Sequence, residues 1–218
     1  SPSARSYVYK SLFYTKTNAH RLPVMLYLPL SLVLAIVSTL SLNNKKQKKT
    51  RLVSSVLTWV MLIHTTLLLV LRWFVSGHLP MSNGYETMQF MAWATLLLTL
   101  WLQRRFEVLA KFGPLHAAFA LLVAMITDSN PQVTQLMPVL QSPLLSVHVM
   151  VIMFAYALFG LMALTAIQGL VAHRQGHQAT EDQLAALSRF LLYPAVALLA
   201  IGIFIGAVWA NVSWGRYW

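Results

Sequence analysis

The chain has 218 residues, of which 58% are hydrophobic and 10% charged, and its mean hydropathy is +0.64. Soluble domains carry about 25% charged residues, so this composition excludes a soluble globular protein, and the lack of cysteine excludes disulfides and thiolate metal sites. The net charge is +11, but the basic residues lie in short stretches between apolar runs, which indicates membrane topology and not nucleic-acid binding. The sequence therefore predicts an all-α polytopic membrane protein.

Six apolar runs follow one another along the chain and predict a bundle of about six transmembrane helices. The predicted spans are residues 22–42, 52–74, 87–102, 109–126, 144–171 and 190–210. Residues 1–21 interleave basic and aromatic side chains, which is typical of an arm at the membrane interface or outside it. Residues 22–218 are then a single bundle that ends in an external tryptophan-rich segment.

Loop charge gives the orientation of this bundle. Residues 43–51 contain five Lys and Arg residues, so this stretch is predicted to be a cytoplasmic loop. The next basic loop contains Arg104 and Arg105, whereas residues 75–86 and 127–143 contain no Lys or Arg and are predicted to lie outside. Both termini are then external. The basic arm at residues 1–21 disagrees, unless a large translocated domain precedes it, because long domains largely ignore the charge rule.

This topology gathers the unusual residues on the external side. Arg72 lies at the outer rim, His78 and Glu86 in or next to the first external loop, and His148 in the first turns of the fifth span. Histidine is a common ligand of haem iron, and the guanidinium of Arg72 matches a haem propionate in geometry. The alternative for Arg72 is a side chain that extends to the lipid headgroups.

Several polar residues also have purely structural interpretations. Glu86, Ser82 and Asn83 are all suited to capping the third helix. Intramembrane histidines often form hydrogen bonds between helices, which is the interpretation we favour for His64 and His116. A further pair of histidines has a spacing compatible with a metal site, but the surrounding charges favour a solvated loop. The pair is His173 and His177.

The aromatic tail of the chain permits two interpretations. Trp209, Trp214, Tyr217 and Trp218 follow the last apolar run, and Gly215 lies among them. Aromatic residues at the end of a membrane helix are typical of an interfacial belt. Large ring faces beside a glycine can instead support a planar ligand, because glycine allows close approach of the backbone.

Three separated segments resemble one family. The tail resembles the start of the tryptophan-rich "WWD" signature of haem-handling proteins, a family that includes CcsA and the fused CcsBA cytochrome c synthetases, with CcmC and CcmF as distant relatives. Residues 80–86 (PMSNGYE) and 140–148 (LQSPLLSVH) are similar to the CcsA branch. The signature continues in the family beyond the point at which this chain stops, so we expect the chain to be part of a longer polypeptide or a split subunit.

The resemblance implies a fold, a substrate and partners. Family members are polytopic membrane proteins that present haem b on the outer face beneath the tryptophan-rich segment, and His148 matches the first of two external axial ligands. In the synthetases, haem vinyl groups receive two thiols from an apocytochrome c CxxCH motif. The implied partners are apocytochrome c, membrane lipid and a CcsB/ResB-like protein or fused domain, in the bacterial plasma membrane. The implied enzyme is a holocytochrome c synthase (haem lyase) whose remaining segments lie outside this chain.

Two alternatives to a synthetase remain at the level of the sequence. One is a haem exporter without ligase activity, which would share the haem site. The other is an unrelated polytopic transporter or channel, whose path would be formed by intramembrane histidines and helices broken by Gly or Pro.

Overall fold

A computed structural model describes residues 21–40, 44–127 and 142–215 of the chain. Within these residues the protein consists of six α-helices, as the six apolar runs predict. The helices are α1 (Arg21–Leu40), α2 (Asn44–Ser76), α3 (Gly84–Leu102), α4 (Glu107–Thr127), α5 (Pro143–Arg174) and α6 (Gln178–Trp214). The predicted arm lies outside the described residues except for Arg21, which begins α1.

The bundle has two ends that differ in composition. The basic end contains the start of α2, the turn between α3 and α4, and the turn between α5 and α6. The aromatic end contains the loop between α2 and α3, the start of α5 and the end of α6 with its tryptophans. The alternation of basic and non-basic connections therefore corresponds to the two ends of one bundle.

Helix α3 is central, because α2, α4 and α5 all pack against it. Trp93 donates its Nε1–H to the hydroxyl of Thr66 on α2 at 2.9 Å, and its ring meets Phe154 of α5 edge to face. On the other side, Gly113 of α4 lies against Thr99 with no room for a Cβ atom. Alanines continue this contact along α4, and small residues of this kind allow membrane helices to approach closely.

The most extensive contact between two helices joins α5 and α6. It depends on Gly202 and Gly206, which form a GxxxG pattern on α6. A Cβ atom on Gly202 would lie 2.5 Å from Cδ1 of Ile152, and one on Gly206 would lie 2.6 Å from Cε1 of His148. Residues four apart on a helix share one face, so His148 and Ile152 of α5 pack directly onto the glycine surface of α6.

The outer surface of the bundle is apolar, as expected for contact with lipid. Phe74, Ile126, Phe204 and Val212 are among its large exposed side chains. Four helices, α2, α4, α5 and α6, are long and apolar enough to cross a membrane by length and composition. Helix α1 contributes the shorter apolar segment Met25–Val37. Helix α3 is about 28 Å long and contains buried polar residues, which its enclosure by other helices accommodates.

Some predicted helix boundaries differ from the observed ones at the basic end. The basic stretch predicted as a loop at residues 43–51 is helical from Asn44 and forms the first turns of α2. Similarly, α6 begins at Gln178 and not near Phe190, so the predicted loop reduces to a turn around Gly176. Lys, Arg, Glu and Gln are good helix formers, and the helices extend through the stretches rich in them beyond the apolar spans.

Candidate functional site

A buried ion pair joins α2 and α3 at the aromatic end. Arg72 of α2 donates from Nε and Nη2 to Oε1 of Glu86 on α3, at 3.0 and 2.8 Å. The two side chains are only 2% and 1% exposed, and the Arg72 guanidinium lies 5.0 Å from the centre of the Tyr85 ring. Arg72 therefore points into the protein and binds a carboxylate of the chain itself, which supports a structural role over extension to the headgroups.

The loop before α3 holds this ion pair in place. The second carboxylate oxygen of Glu86 accepts hydrogen bonds from the backbone N–H and the hydroxyl of Ser82, at 2.8 and 2.6 Å. Asn83 is the N-cap of α3, and its side-chain oxygen accepts the backbone N–H of Glu86 at 2.9 Å. The Arg72 charge and several hydrogen bonds thus offset the free-energy cost of removing the two ions from solvent. The same loop also supplies the N-cap of α3.

His148 lies in the second turn of α5, at the contact with α6. Its Nδ1 is 2.6 Å from the carbonyl oxygen of Gly202, and its ring covers Gly206. A carbonyl oxygen only accepts hydrogen bonds, so Nδ1 is the donor in this bond, which selects the tautomer whose Nε2 has a lone pair. Among the residues that the structure describes, none forms a hydrogen bond with Nε2. Metal-bound histidines commonly have this arrangement, in which a backbone carbonyl fixes the ring through the other nitrogen.

Two tryptophans follow the His148 contact along α6. Trp209 is one turn beyond Gly206, and its ring meets that of Trp214 edge to face, with the ring centres 4.8 Å apart. Trp209 is 8% exposed, and its buried Nε1–H has no hydrogen-bond partner among the described residues. Trp214 is 58% exposed. Tyr217 and Trp218 lie outside the described residues, so their predicted roles at the site stay predictions.

Gly215 has a structural role at the end of α6, and its predicted contact with a planar ligand stays a prediction. It ends α6 with φ of 70°, and its N–H bonds to the carbonyl of Asn211 at 2.8 Å. An added Cβ atom would meet nothing within 4 Å among the described residues. Gly215 is therefore needed for a left-handed helix end, and no close approach of described backbone occurs there.

Further unpaired polar atoms lie at or near the aromatic end. The ring of His78 is bonded through Nδ1 to the carbonyl of Leu79, and its buried Nε2 has no partner in the described part of the chain. Gln89, one turn into α3 from Glu86, is 1% exposed, and the structure describes no partner for either end of its amide. Buried polar groups usually have partners, so these residues favour a polar occupant near this end.

The predicted site residues form two groups in the structure. Arg72 and Glu86 belong to the first group, and His148 with the tryptophans to the second. An apolar cluster that includes Phe90, Met150 and Phe154 packs α3 against α5 near both groups. The structure describes no hydrogen bond or ring contact joining the two groups within residues 44–127 and 142–215.

Of the two intramembrane histidines predicted to form hydrogen bonds between helices, His116 does so, whereas the buried Nδ1 of His64 has no hydrogen-bond partner among the described residues. His116 of α4 is 3.2 Å from the hydroxyl of Thr95 on α3 and packs onto Gly160 of α5, so it connects three helices. His64 of α2 meets the ring of Tyr27 edge to face. His173 pairs with Glu181 at 3.0 Å on the exposed turn and not with His177. No cluster of three or more metal-binding side chains occurs among the described residues.

The glycine surface of α6 and the buried amide of Gln89 are the parts of the site that sequence reasoning missed. The GxxxG spacing of Gly202 and Gly206 was a readable signal for close helix packing. Nothing in the sequence identifies Gln89, because a single glutamine in a predicted span has no distinctive pattern.

Comparison with known proteins gives a consistent result. The sequence profile of the cytochrome c assembly protein family matches residues 81–218. Protein NrfI of Wolinella succinogenes is 33% identical over 205 residues, which cover 91% of this chain and 23% of that protein.

Two further relatives are each named cytochrome c biogenesis protein CcsA. The protein of Chlamydomonas reinhardtii is 39% identical over 165 residues, covering 70% of this chain and 47% of the relative. The protein of a Synechococcus strain is 33% identical over 190 residues, covering 69% of this chain and 61% of the relative. The chain thus spans between 23% and 61% of the length of these three relatives.

Proposed function

Because the chain belongs to the cytochrome c assembly protein family, we propose that it takes part in cytochrome c biogenesis by holding haem as a substrate at its aromatic end. The haem would be presented there for thioether attachment to the CxxCH motif of an apocytochrome c. The protein would supply binding and orientation, while haem and the incoming thiols supply the reacting atoms.

The orientation of His148 is the observation that carries this proposal. Its Nδ1–H is held by the carbonyl of Gly202, and Nε2 is left to bind iron as an axial ligand. Trp209 lies on α6 about two turns beyond Gly202 and its ring contacts that of Trp214, and the buried Nε1–H of Trp209 is a donor suited to an acceptor on the ligand. Haem has both an apolar ring and anionic acceptors, so its chemistry fits this set of groups.

Arg72 and Glu86 have a supporting role in this proposal. Their ion pair fixes the end of α2 against the start of α3, beside the cluster that contacts α5 near His148. His78 and Gln89 are the polar side chains suited to contact a bound substrate from this side. We do not assign the haem propionates to any single one of these residues.

The variant Gly206→Ala tests whether the packing of α6 against α5 positions His148 to bind haem. The new methyl group would lie 2.6 and 2.7 Å from ring atoms of His148, so the imidazole must move. We expect haem affinity to fall by about tenfold or more, as is typical when a residue that positions a metal ligand is changed. The measurement is haem titration of the purified intact protein, followed by its Soret absorbance.

The matched control is Gly169→Ala on α5, where the nearest atom to an added Cβ is Leu184 Cβ at 3.9 Å. This variant should retain the haem affinity of the wild type. Equal affinities for the two alanine variants would contradict the positioning of His148 by α6. A reporter cytochrome c with a CxxCH motif, expressed alongside, separates a synthetase from an exporter, because only a synthetase yields covalently bound haem in the reporter.

We further propose that the protein lies in a bacterial plasma membrane with its basic end in the cytoplasm. These 218 residues contain no cysteine, so each introduced thiol is the only one within them. Lys49→Cys and Gln178→Cys at the basic end should resist a membrane-impermeant thiol reagent applied to intact cells, whereas Thr87→Cys should react. Permeabilised cells, in which all three should react, are the control. The reverse pattern in intact cells would invert the proposed orientation.

A further inference from the structure

A cleft of about 800 Å³ opens at the basic end, away from the proposed haem site. It is enclosed by the first turns of α2, the start of α4, and the ends of α5 and α6 that face them. Among the described lining residues, four have basic side chains and one has a carboxylate. The basic residues are Lys48, Arg51, Arg105 and Lys111, and the carboxylate belongs to Glu107. The cleft is therefore an electropositive cavity at the level where the helices leave the bilayer.

The carboxylate does not balance this charge. Glu107 accepts a hydrogen bond from Arg51 in a pair that is largely exposed to solvent. Arg105 is held on the other wall, where its guanidinium lies 5.6 Å from the ring centre of Phe106 and 5.8 Å from that of Phe190. Stacking on two rings orients the guanidinium and leaves its N–H donors at the edge to bind an anion.

The floor of the cleft is apolar. Leu184, Leu187 and Ala110 line it and are 5%, 1% and 2% exposed. Next to the cleft, Leu170 of α5 and Phe190 of α6 face outward and are 67% and 40% exposed. The cavity thus has a charged rim and an apolar base, next to a helix surface suited to hydrocarbon chains.

We propose that this cleft binds a phosphate-bearing anion, in the form of the headgroup of an anionic phospholipid. Guanidinium and ammonium groups at the rim would bind the phosphate oxygens, because Arg matches phosphate geometry and Lys supplies a compact charge. The acyl chains would follow the apolar surface of α5 and α6. Basic pockets between membrane helices are typical sites for such headgroups. This site is independent of the proposed haem function.

The test compares the double variants Lys48→Gln/Arg105→Gln and Lys49→Gln/Arg104→Gln in the intact protein. The two pairs remove the same charge from adjacent positions, but only Lys48 and Arg105 line the cleft. All four side chains are exposed, so neither change should disturb folding. Unfolding temperatures in micelles of neutral phosphatidylcholine, which should be equal for both variants and the wild type, verify this.

Binding is measured by native mass spectrometry with phosphatidylglycerol or phosphatidylcholine. We expect the wild type and the Lys49/Arg104 variant to retain phosphatidylglycerol selectively, and the Lys48/Arg105 variant to bind it about tenfold or more weakly, because two charges near the headgroup are lost. Equal binding by the two variants, or equal binding of the two lipids by the wild type, would overturn the proposal.

A second arm adds inorganic phosphate during thermal unfolding in phosphatidylcholine micelles. Phosphatidylglycerol should raise the unfolding temperature of the wild type, and phosphate at the same concentration should not, because it lacks the apolar part that the floor accommodates. If phosphate stabilises the wild type as much as the lipid does, and the Lys48/Arg105 variant loses both effects, the ligand is a free anion and the lipid assignment is wrong.

Discussion

Glu86→Ala is expected to cause a large loss of stability, about 3–5 kcal/mol, because it breaks the buried ion pair with Arg72. It also removes the acceptor of two hydrogen bonds from Ser82 in the loop before α3. We expect a lower unfolding temperature of the purified intact protein and a reduced yield of inserted protein.

The chain contains a matched control for this prediction. Glu107 also pairs with an arginine, Arg51, but these side chains are 68% and 58% exposed. Glu107→Ala should therefore cost less than about 1 kcal/mol. The double variant Arg72→Met/Glu86→Leu should recover much of the stability that Glu86→Ala loses, because well-packed apolar residues often replace a buried ion pair without loss. Similar unfolding temperatures for the Glu86 and Glu107 single variants would contradict the structural role of the buried pair.

His148→Ala should remove most of the haem absorbance of the intact protein at comparable protein yield. The side chain supplies the proposed axial ligand, and its loss leaves a space between α5 and the glycine surface of α6. Added imidazole can occupy that space and bind iron, so it should restore part of the Soret band. The measurement is the ratio of haem to protein, with and without imidazole.

His173→Ala is the control for this experiment, since His173 lies at the opposite end of the same helix and pairs with Glu181. It should leave the haem content unchanged. An unchanged Soret band in His148→Ala would exclude His148 as a ligand. Loss of haem without any response to imidazole, at normal yield and unfolding temperature, would contradict direct ligation as well.

The helices were predictable from the sequence because lipid imposes strong constraints on composition. Apolar runs separated by basic stretches predict the number, order and polarity of the helices, and the structure confirms an all-α polytopic arrangement. The residues at which the helices begin and end were less predictable. Lys45 to Arg51 are predicted as a loop but form helix, because Lys, Gln and Arg are good helix formers and continue the helix beyond its apolar span.

Sequence reasoning selects candidate site residues but does not predict the contacts between them. Sequence reasoning selected both Arg72 and Glu86, yet it assigned one to a ligand and the other to a helix cap. Their pairing depends on the packing of α2 against α3, which no local pattern encodes. The same limit applies to His148, whose bond to Gly202 joins residues in different helices.

Helix α3 has a consequence for biogenesis of the protein itself. With Glu86 and Gln89 enclosed in its first turns and neighbours on several sides, it is poorly suited to reside alone in hydrocarbon. A short turn joins α3 to α4, and the small side chains of α4 pack against α3. The two helices therefore form a compact helical hairpin. We therefore expect α3 and α4 to enter the membrane together as a helical hairpin.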